Sequence, residues 1–370
     1  MLSGVKIVEI CGIGPGPFCA MHLADLGADV IAVERANPAG EASGENLINR
    51  GKRSVVADLK TAEGRELVLG LIDDADILIE GMRPGVMERL GLGPEVCQAR
   101  NPRLVYGRMT GWGQTGPMAH AAGHDNNYIS LSGALYYNGT PSEPPSTAIS
   151  LLGDIGGGAL YLAVGLLAGV LKARQTGQGT VVDAAIVDGS AHMMQLMLST
   201  RAAGFFNDSF SRGGNLHDSS HFYATYRCSD DRYITVGSIE PQFYDLLLTK
   251  LDLKDDPRFA KQWDSSSWGQ LHQHFTELFA SRSRDQWCEL LEYTDACFAP
   301  VLSPDEASRH PQNVSRNLFF ERDGILQTVA APRFDGEPVV PGPIPRFGEH
   351  TDDVAAALAE PAARSVWRSV

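Results

Sequence analysis

The first 110 residues switch between two hydrophobic periods, and that alternation restricts the possible folds more than any other feature of the chain. Apolar strand-like runs stand at Val5–Ile10, Asp29–Val33, Ser54–Leu59, Asp76–Ile79 and Arg103–Met109, with helical patterns at Phe18–Leu26, Thr61–Ile72 and Val86–Leu90 between them. Strands separated by helices define β-α-β units, which lay a parallel sheet between two helical layers. The expected class is therefore α/β. Thr61 supplies a hydroxyl N-cap for the second helix, with the acids Glu63 and Glu66 close behind it.

Beyond this section the pattern changes. Ile149–Phe206 holds two apolar helical stretches around the strand-like Thr180–Ile186, and Asn207–Ser220 is polar and contains Gly213-Gly214. Phe222–Phe298 reads as a smaller α+β unit with a strand at Tyr233–Ile239 and helices near 243–251 and 268–293. A proline-rich, extended stretch at 300–347 and a helical tail at Thr351–Arg368 follow. The resulting division is a large domain over 1–206 together with 330–370, a linker at 207–221, a small domain at 222–299 and a return linker at 300–329.

Ile155–Leu171 carries no charge over 17 residues. That is short of the roughly 20 needed to span a bilayer. Its glycines (156, 157, 158, 165 and 169) point to a helix packed closely inside protein, so no membrane is expected. Bulk charge excludes another partner: 31 Lys+Arg against 45 Asp+Glu leave a net charge of −14. A nucleic-acid surface needs a basic footprint. A small phosphorylated ligand needs only a local cluster. Six cysteines lack any C-x-x-C or metal-type spacing, and Met1 leads almost directly into a strand with no signal-peptide pattern. Reduced thiols, a cytoplasmic location and no metal are the expectations.

Gly12-Ile13-Gly14-Pro15-Gly16-Pro17 sits where a dinucleotide fingerprint would, and Glu34 ends the second strand where a ribose-binding acid would stand. The glycine spacing is wrong, however, and Pro15 and Pro17 lack the amide protons a pyrophosphate needs. The loop reads as a tight strand-to-helix turn. Basic residues offer another home for phosphate: Arg35, the group Arg50-Gly51-Lys52-Arg53, Lys60, Arg83 and Arg89 gather near strand ends. Open α/β sheets bind ligands at the carboxyl ends of their strands. Guanidinium forks match phosphate oxygens.

His124 and Asp154 each lie in a glycine-studded segment, A-A-G-H-D-N-N-Y-I-S-L-S-G and L-L-G-D-I-G-G-G-A-L. Glycines beside an ionisable side chain let a substrate come close. On the residues alone, Asp154 also reads as a helix N-cap, His124 as a turn histidine, Asp125 as a cap for the segment after it, and Glu240 as a surface carboxylate at a helix start.

The chain resembles the family III coenzyme A transferases, and within them the α-methylacyl-CoA racemases. The likeness covers essentially the full length. It rests on L-A-D-L-G-A-D-V-I-A-V-E-R, N-R-G-K-R-S-V-V-A-D-L-K, E-G-M-R-P-G-V-M-E-R-L-G-L-G-P, M-T-G-W-G-Q-T-G-P, G-H-D-N-N-Y-I-S-L-S-G, G-D-I-G-G-G and I-E-P-Q-F-Y. Asn126 departs from a pattern that usually has an apolar residue there.

The resemblance implies a Rossmann-like large domain, a small α+β domain and an interlocked homodimer. It implies an acyl-CoA thioester as substrate, with CoA as part of that substrate and no separate cofactor. By matching positions, Arg35, Ala57, Asp58, Leu59, Lys60, Met82, Arg83 and Arg89 would hold CoA, and Gly123, Asp125 and Tyr128 would contact the substrate. His124 and Asp154 would be the two acid/base groups that racemise a 2-methylacyl-CoA through an enolate, with Glu240 orienting His124. The helix after Asp154 would offer N–H groups to the enolate oxygen. Two enzymatic rivals, and the weaker option of a non-catalytic CoA-binding module, stand beside this reading. One is a CoA transferase on the same fold, with Asp154 as nucleophile. The other is a nicotinamide-dependent oxidoreductase, against which Pro15, Pro17 and the glycine spacing speak.

Overall fold

The computed structural model describes residues 1–36, 46–204, 212–213, 215–360 and 365–368. They form two compact units. The first comprises Met1–Gly133, Ala148–Met193 and Ser315–Val370, and the second Ala134–Thr147 and Met194–Val314.

The first unit opens with β1 (Lys6–Ile10), α1 (Pro15–Asp25), β2 (Asp29–Glu34), β3 (Arg53–Val56), α2 (Ala62–Ile72) and β4 (Ile77–Glu80). It goes on through α3 (Val86–Arg89), α4 (Pro94–Arg100), β5 (Val105–Thr110) and α5 (Asp125–Leu131). A π-helix at Leu151–Ala159 then runs into α6 (Leu160–Thr176), followed by β6 (Thr180–Ala185) and α7 (Ile186–Met193). The six strands are all parallel, in the order β3-β2-β1-β4-β5-β6. The chain winds outward from β1 to β3, then restarts beside β1 with β4. The crevice between β1 and β4 is thus the topological switch point, where such sheets bind ligands.

Period-2 side chains feed two cores, one on each face of the sheet: Ile7 joins Leu23, Leu162 and Leu166, while Val8 joins Val68, Leu71 and Ile72. α1 starts three residues earlier than its apolar pattern because Pro15, at its first position, is already set for a helix. α4 escaped the apolar pattern altogether. It is a seven-residue helix opened by Pro94 with only Cys97 fully buried. Thr61 caps α2 as expected, its hydroxyl accepting the Gly64 N–H at 3.0 Å. Thr61→Ala should cost about 1 kcal/mol of stability in denaturant titration; an unchanged midpoint would show the cap to be idle.

The helix that holds the uncharged stretch extends beyond it at both ends. Leu151–Thr176 is a continuous 26-residue helix with a mean hydropathy of 1.7 in its most apolar window. By length and composition it could cross a bilayer, so the length argument fails. Packing defines its role instead. A Cβ on Gly169 would lie 2.6 Å from Val105 Cγ1, and one on Gly165 2.7 Å from Val182 Cγ1. The glycine face lies directly on β5 and β6, while Val164 and Leu171 stay exposed.

The second unit contains α8 (Gln195–Ala202), α9 (Leu216–Ser219), β7 (Tyr223–Arg227), β8 (Tyr233–Gly237) and α10 (Pro241–Lys250). It continues with α11 (Trp268–Phe279), α12 (Arg284–Leu291), β9 (Phe298–Val301), α13 (Pro304–Arg309) and α14 (Pro311–Ser315). Its three strands form an antiparallel sheet in the order β7-β8-β9. The helix expected over 268–293 is two helices, because Ser283 caps α12 in a box with Gln286.

Unit boundaries also differ from the sequence division. Ala134–Thr147 belongs to the second unit, where the Arg212 guanidinium donates to the carbonyls of Thr140 and Glu143. The chain rejoins the first unit at Ser315 rather than near 330. Of the linker, 207–211 and 214 lie outside the described residues, and α9 interrupts the rest. The stretch at 300–347 is not simply extended: beside β9, α13 and α14 it contains the hairpin β10 (Phe319–Arg322) and β11 (Ile325–Thr328). Asp323 and Gly324 both take positive φ there, the backbone a two-residue hairpin turn requires. The tail helix, α15 (Thr351–Ala359), is shorter than expected, and 361–364 lie outside the described residues.

Candidate active site

A cavity of about 490 Å³ opens at the carboxyl ends of β1, β4, β5 and β6, on the switch point. Its walls are the turn Gly12–Pro17, the segment Gly81–Pro84, the residues Met109–Trp112 and the loop that ends in Gly123 and His124. Tyr128 and Asp154 complete it. His124 and Asp154, 30 positions apart in sequence, thus line one space.

His124 is the exposed N-cap of α5, in extended backbone, and the Asn127 side chain accepts its N–H at 3.0 Å. Asp125 does not cap the segment after it. It is buried, and its Oδ2 accepts the main-chain N–H of Asp154 at 2.6 Å. Only a glycine at 153 leaves room for that carboxylate, since a Cβ there would lie 2.5 Å from Asp125 Oδ2. The residue after one candidate base therefore holds the backbone of the other.

Asp154 is not an N-cap either. It stands in the first turn of the π-helix, one residue after Gly153, and its own N–H is already taken. π-Helical turns are uncommon and often occur at functional sites. Burial pushes the Asp154 carboxyl above its ordinary range, negative Asp125 adds to the rise, and His124 opposes it. Desolvation thus wins, and the carboxyl takes up a proton more readily than an exposed one.

Tyr128 braces this arrangement. Its ring meets Trp112 edge-on, with centroids 4.7 Å apart, and occupies the space that side chains at Gly111 and Gly123 would need. The hydroxyl donates to the Gly123 carbonyl. Burial and the neighbouring Asp154 hold the phenol above its usual range. The hydroxyl expected to contact substrate is thus engaged with the peptide before His124.

The glycine turn, read from sequence as a plain connection, is a wall of the site. Gly14 has φ 76°, and a Cβ on it would sit 3.5 Å from Asp154 Oδ2. Nothing in its spacing signalled this; only the fold brings it beside Asp154.

A second cavity, about 220 Å³, lies at the ends of β1, β2 and β3. Arg35, Ala57, Asp58, Leu59, Lys60 and Met82 line it, six of the eight residues expected to hold CoA. Met82 borders both cavities, and Arg83 lines the first. Arg89, on α3, lines neither. The group 50–53 proves unsuitable for phosphate. Arg50 pairs with Asp25 at 2.6 Å, Lys52 with Glu9 at 2.6 Å and Arg53 with Asp29 at 2.7 Å, all buried. These cations precede or open β3 rather than follow it, and they neutralise acids inside the fold.

Glu240 stands at the N-cap position of α10 in the second unit, ahead of Pro241, at the helix start that its sequence position indicated. Among the described residues no three His, Cys, Asp or Glu side chains gather as a metal site would require.

Residues 2–351 match the family model described as CoA-transferase family III. The chain belongs to that family. It is 39% identical to human alpha-methylacyl-CoA racemase over 95% of this chain and 92% of that protein. It is 31% identical to the succinate–glutarate CoA-transferase of Agrobacterium fabrum, over 96% and 95% of the two chains. The crystal structure of a CAIB/BAIF family protein from Brucella suis superposes with a TM-score of 0.81 at 29% identity, covering 96% of this chain and 99% of that one. Family III members thus include proteins named as racemases and proteins named as transferases.

Proposed function

We propose that the protein racemises 2-methylacyl-CoA thioesters by moving one proton across a planar enolate. The observation that carries this reading is the shared cavity: an imidazole and a desolvated carboxyl line the same space, and Met82 connects it to the pocket of Arg35 and Lys60. On this reading the nucleotide part of CoA enters the second pocket, its phosphates toward Arg35 and Lys60, and the thioester reaches past Met82 to the first.

One base takes the α-proton, and the C–H electrons pass into the enolate, leaving negative charge on the thioester oxygen. The other group, protonated beforehand, returns a proton to the opposite face. His124 and Asp154 exchange these roles with the handedness of the substrate. The Asp154 N–H is spent on Asp125, so it cannot serve the enolate oxygen. On this reading that part falls to the main-chain N–H of Asp125, at the first position of α5 beside His124, although the residue itself is buried. That N–H has no carbonyl within its own helix to bond. In the homodimer that the resemblance implies, Glu240 would stand beside His124 and raise its basicity.

The test is exchange. Incubated in deuterium oxide with a 2-methylacyl-CoA, the protein should place deuterium at the α-carbon and scramble its configuration, with no metal, nicotinamide or second carboxylic acid supplied. NMR follows the label. The transferase reading, which relatives of that name favour, predicts a strict need for an acceptor acid and a label trapped on Asp154.

A further inference from the structure

Glu80, the last residue of β4, is 3% exposed, and the chemistry above does not use it. Its Oε2 accepts the Met82 N–H at 2.7 Å. Its other oxygen lies 3.8 Å from Arg108 Nε, on the paired position of β5. Arg108 in turn donates to Gln114 Oε1 at 2.7 Å and pairs with Glu88 of α3. One buried carboxylate and one buried guanidinium therefore tie together the segment Gly81–Pro84, helix α3 and the loop after β5. Each of the three contributes to the walls of one or both cavities, and among the described residues Met82 alone borders both, by way of β4.

We infer that Glu80 is a positioning residue for the CoA moiety, setting the strip between the two pockets through its hydrogen bond to the Met82 amide. The inference rests on the acyl-CoA reading, though not on whether the reaction is racemisation or transfer. Burial is the main cause that pushes the Glu80 carboxyl up to about 7, against the opposing Met82 N–H and Arg108. Keeping an ionisable group there is costly, so a role for its reach rather than its charge is indicated. A carboxyl raised this far takes up a proton readily, and a neutral amide imitates that form.

Two conservative variants separate reach from charge. Glu80→Gln keeps the acceptor in place and loses the charge. Glu80→Asp keeps the charge and withdraws the oxygen by one methylene. Calorimetric titration with free CoA, which needs no turnover, should show about tenfold weaker binding for Glu80→Asp, the loss expected of one hydrogen bond. Glu80→Gln should stay within about threefold of wild type. With acyl-CoA, the KM of the Asp variant should rise while its kcat changes far less, a split that general destabilisation would not produce. Wild-type CoA affinity in Glu80→Asp, or equal losses in both variants, would overturn the assignment. Failure of the exchange test with these affinities as expected would sink racemisation and leave Glu80 in its role.

Discussion

Alanine at either His124 or Asp154 should abolish inversion at the α-carbon while CoA remains bound. Both residues line the first cavity, where the proposed reaction puts the α-carbon, and neither lines the pocket of Arg35 and Lys60. A positioned acid or base is worth roughly 100- to 10,000-fold in rate, and a two-base route has no spare member. The two variants should differ in what survives. With one base left, its face of the α-carbon can still exchange protons, so slow deuterium entry with retained configuration is the expected residue of activity.

The raised Asp154 carboxyl adds a pH signature. In one direction Asp154 must start protonated and in the other ionised, with its partner in the complementary state, so both directions draw on the same singly protonated pair. The equilibrium between the two configurations does not vary with pH, so kcat/KM should follow one profile in both directions. The limb that disappears on removing Asp154 should lie above the position of an ordinary carboxylate. Near wild-type racemisation in either alanine variant, read by chiral chromatography of the hydrolysed acid, would end the two-base account.

How much of this the sequence disclosed depends on the range of the interaction. β1 to β5 and the helices α1, α2 and α3 were legible because period 2 and period 3.6 are local, and Thr61 because a cap acts over three residues; α4, with one fully buried residue, left no such trace. The pairing of His124 with Asp154 came from motif resemblance, not from periodicity. Long-range facts were out of reach. That Asp125 holds the Asp154 amide, that Gly14 abuts its carboxylate, and that Arg50, Lys52 and Arg53 are consumed by Asp25, Glu9 and Asp29 all depend on elements brought together by the sheet. A basic run looks the same in sequence whether it faces phosphate or a buried acid. Glu80 was equally silent: a carboxylate at a strand end carries no mark of the amide it will accept.

Gly189→Ala should be among the most damaging single-methyl additions in the first unit. α7 crosses the π-helix so closely that a Cβ at Gly189 would lie 1.9 Å from the carbonyl oxygen of Gly157, while one at Gly157 would lie 2.4 Å from Ser190 Oγ. The obstructing atom at 189 is backbone, so no rotamer change relieves it. Overpacking of this kind typically costs about 1–3 kcal/mol. Alanine's better helix propensity returns at most about 1 kcal/mol. The net sign is destabilising. Gly157 lies three residues after Asp154 on the same π-helix, so the shift that accommodates the methyl also moves the carboxyl. A displacement of about 1 Å at a reacting group can cost on the order of 100-fold in rate. The variant should therefore lose both melting temperature and turnover, with CoA affinity least affected because the Arg35 pocket is built on β1 to β3. Gly269→Ala provides the contrast: its added methyl in α11 meets nothing within 4 Å. That substitution should leave stability unchanged or improve it by up to about 1 kcal/mol. If Gly189→Ala melted and turned over like wild type, the close crossing of α7 over the π-helix could not be what fixes Asp154 in place.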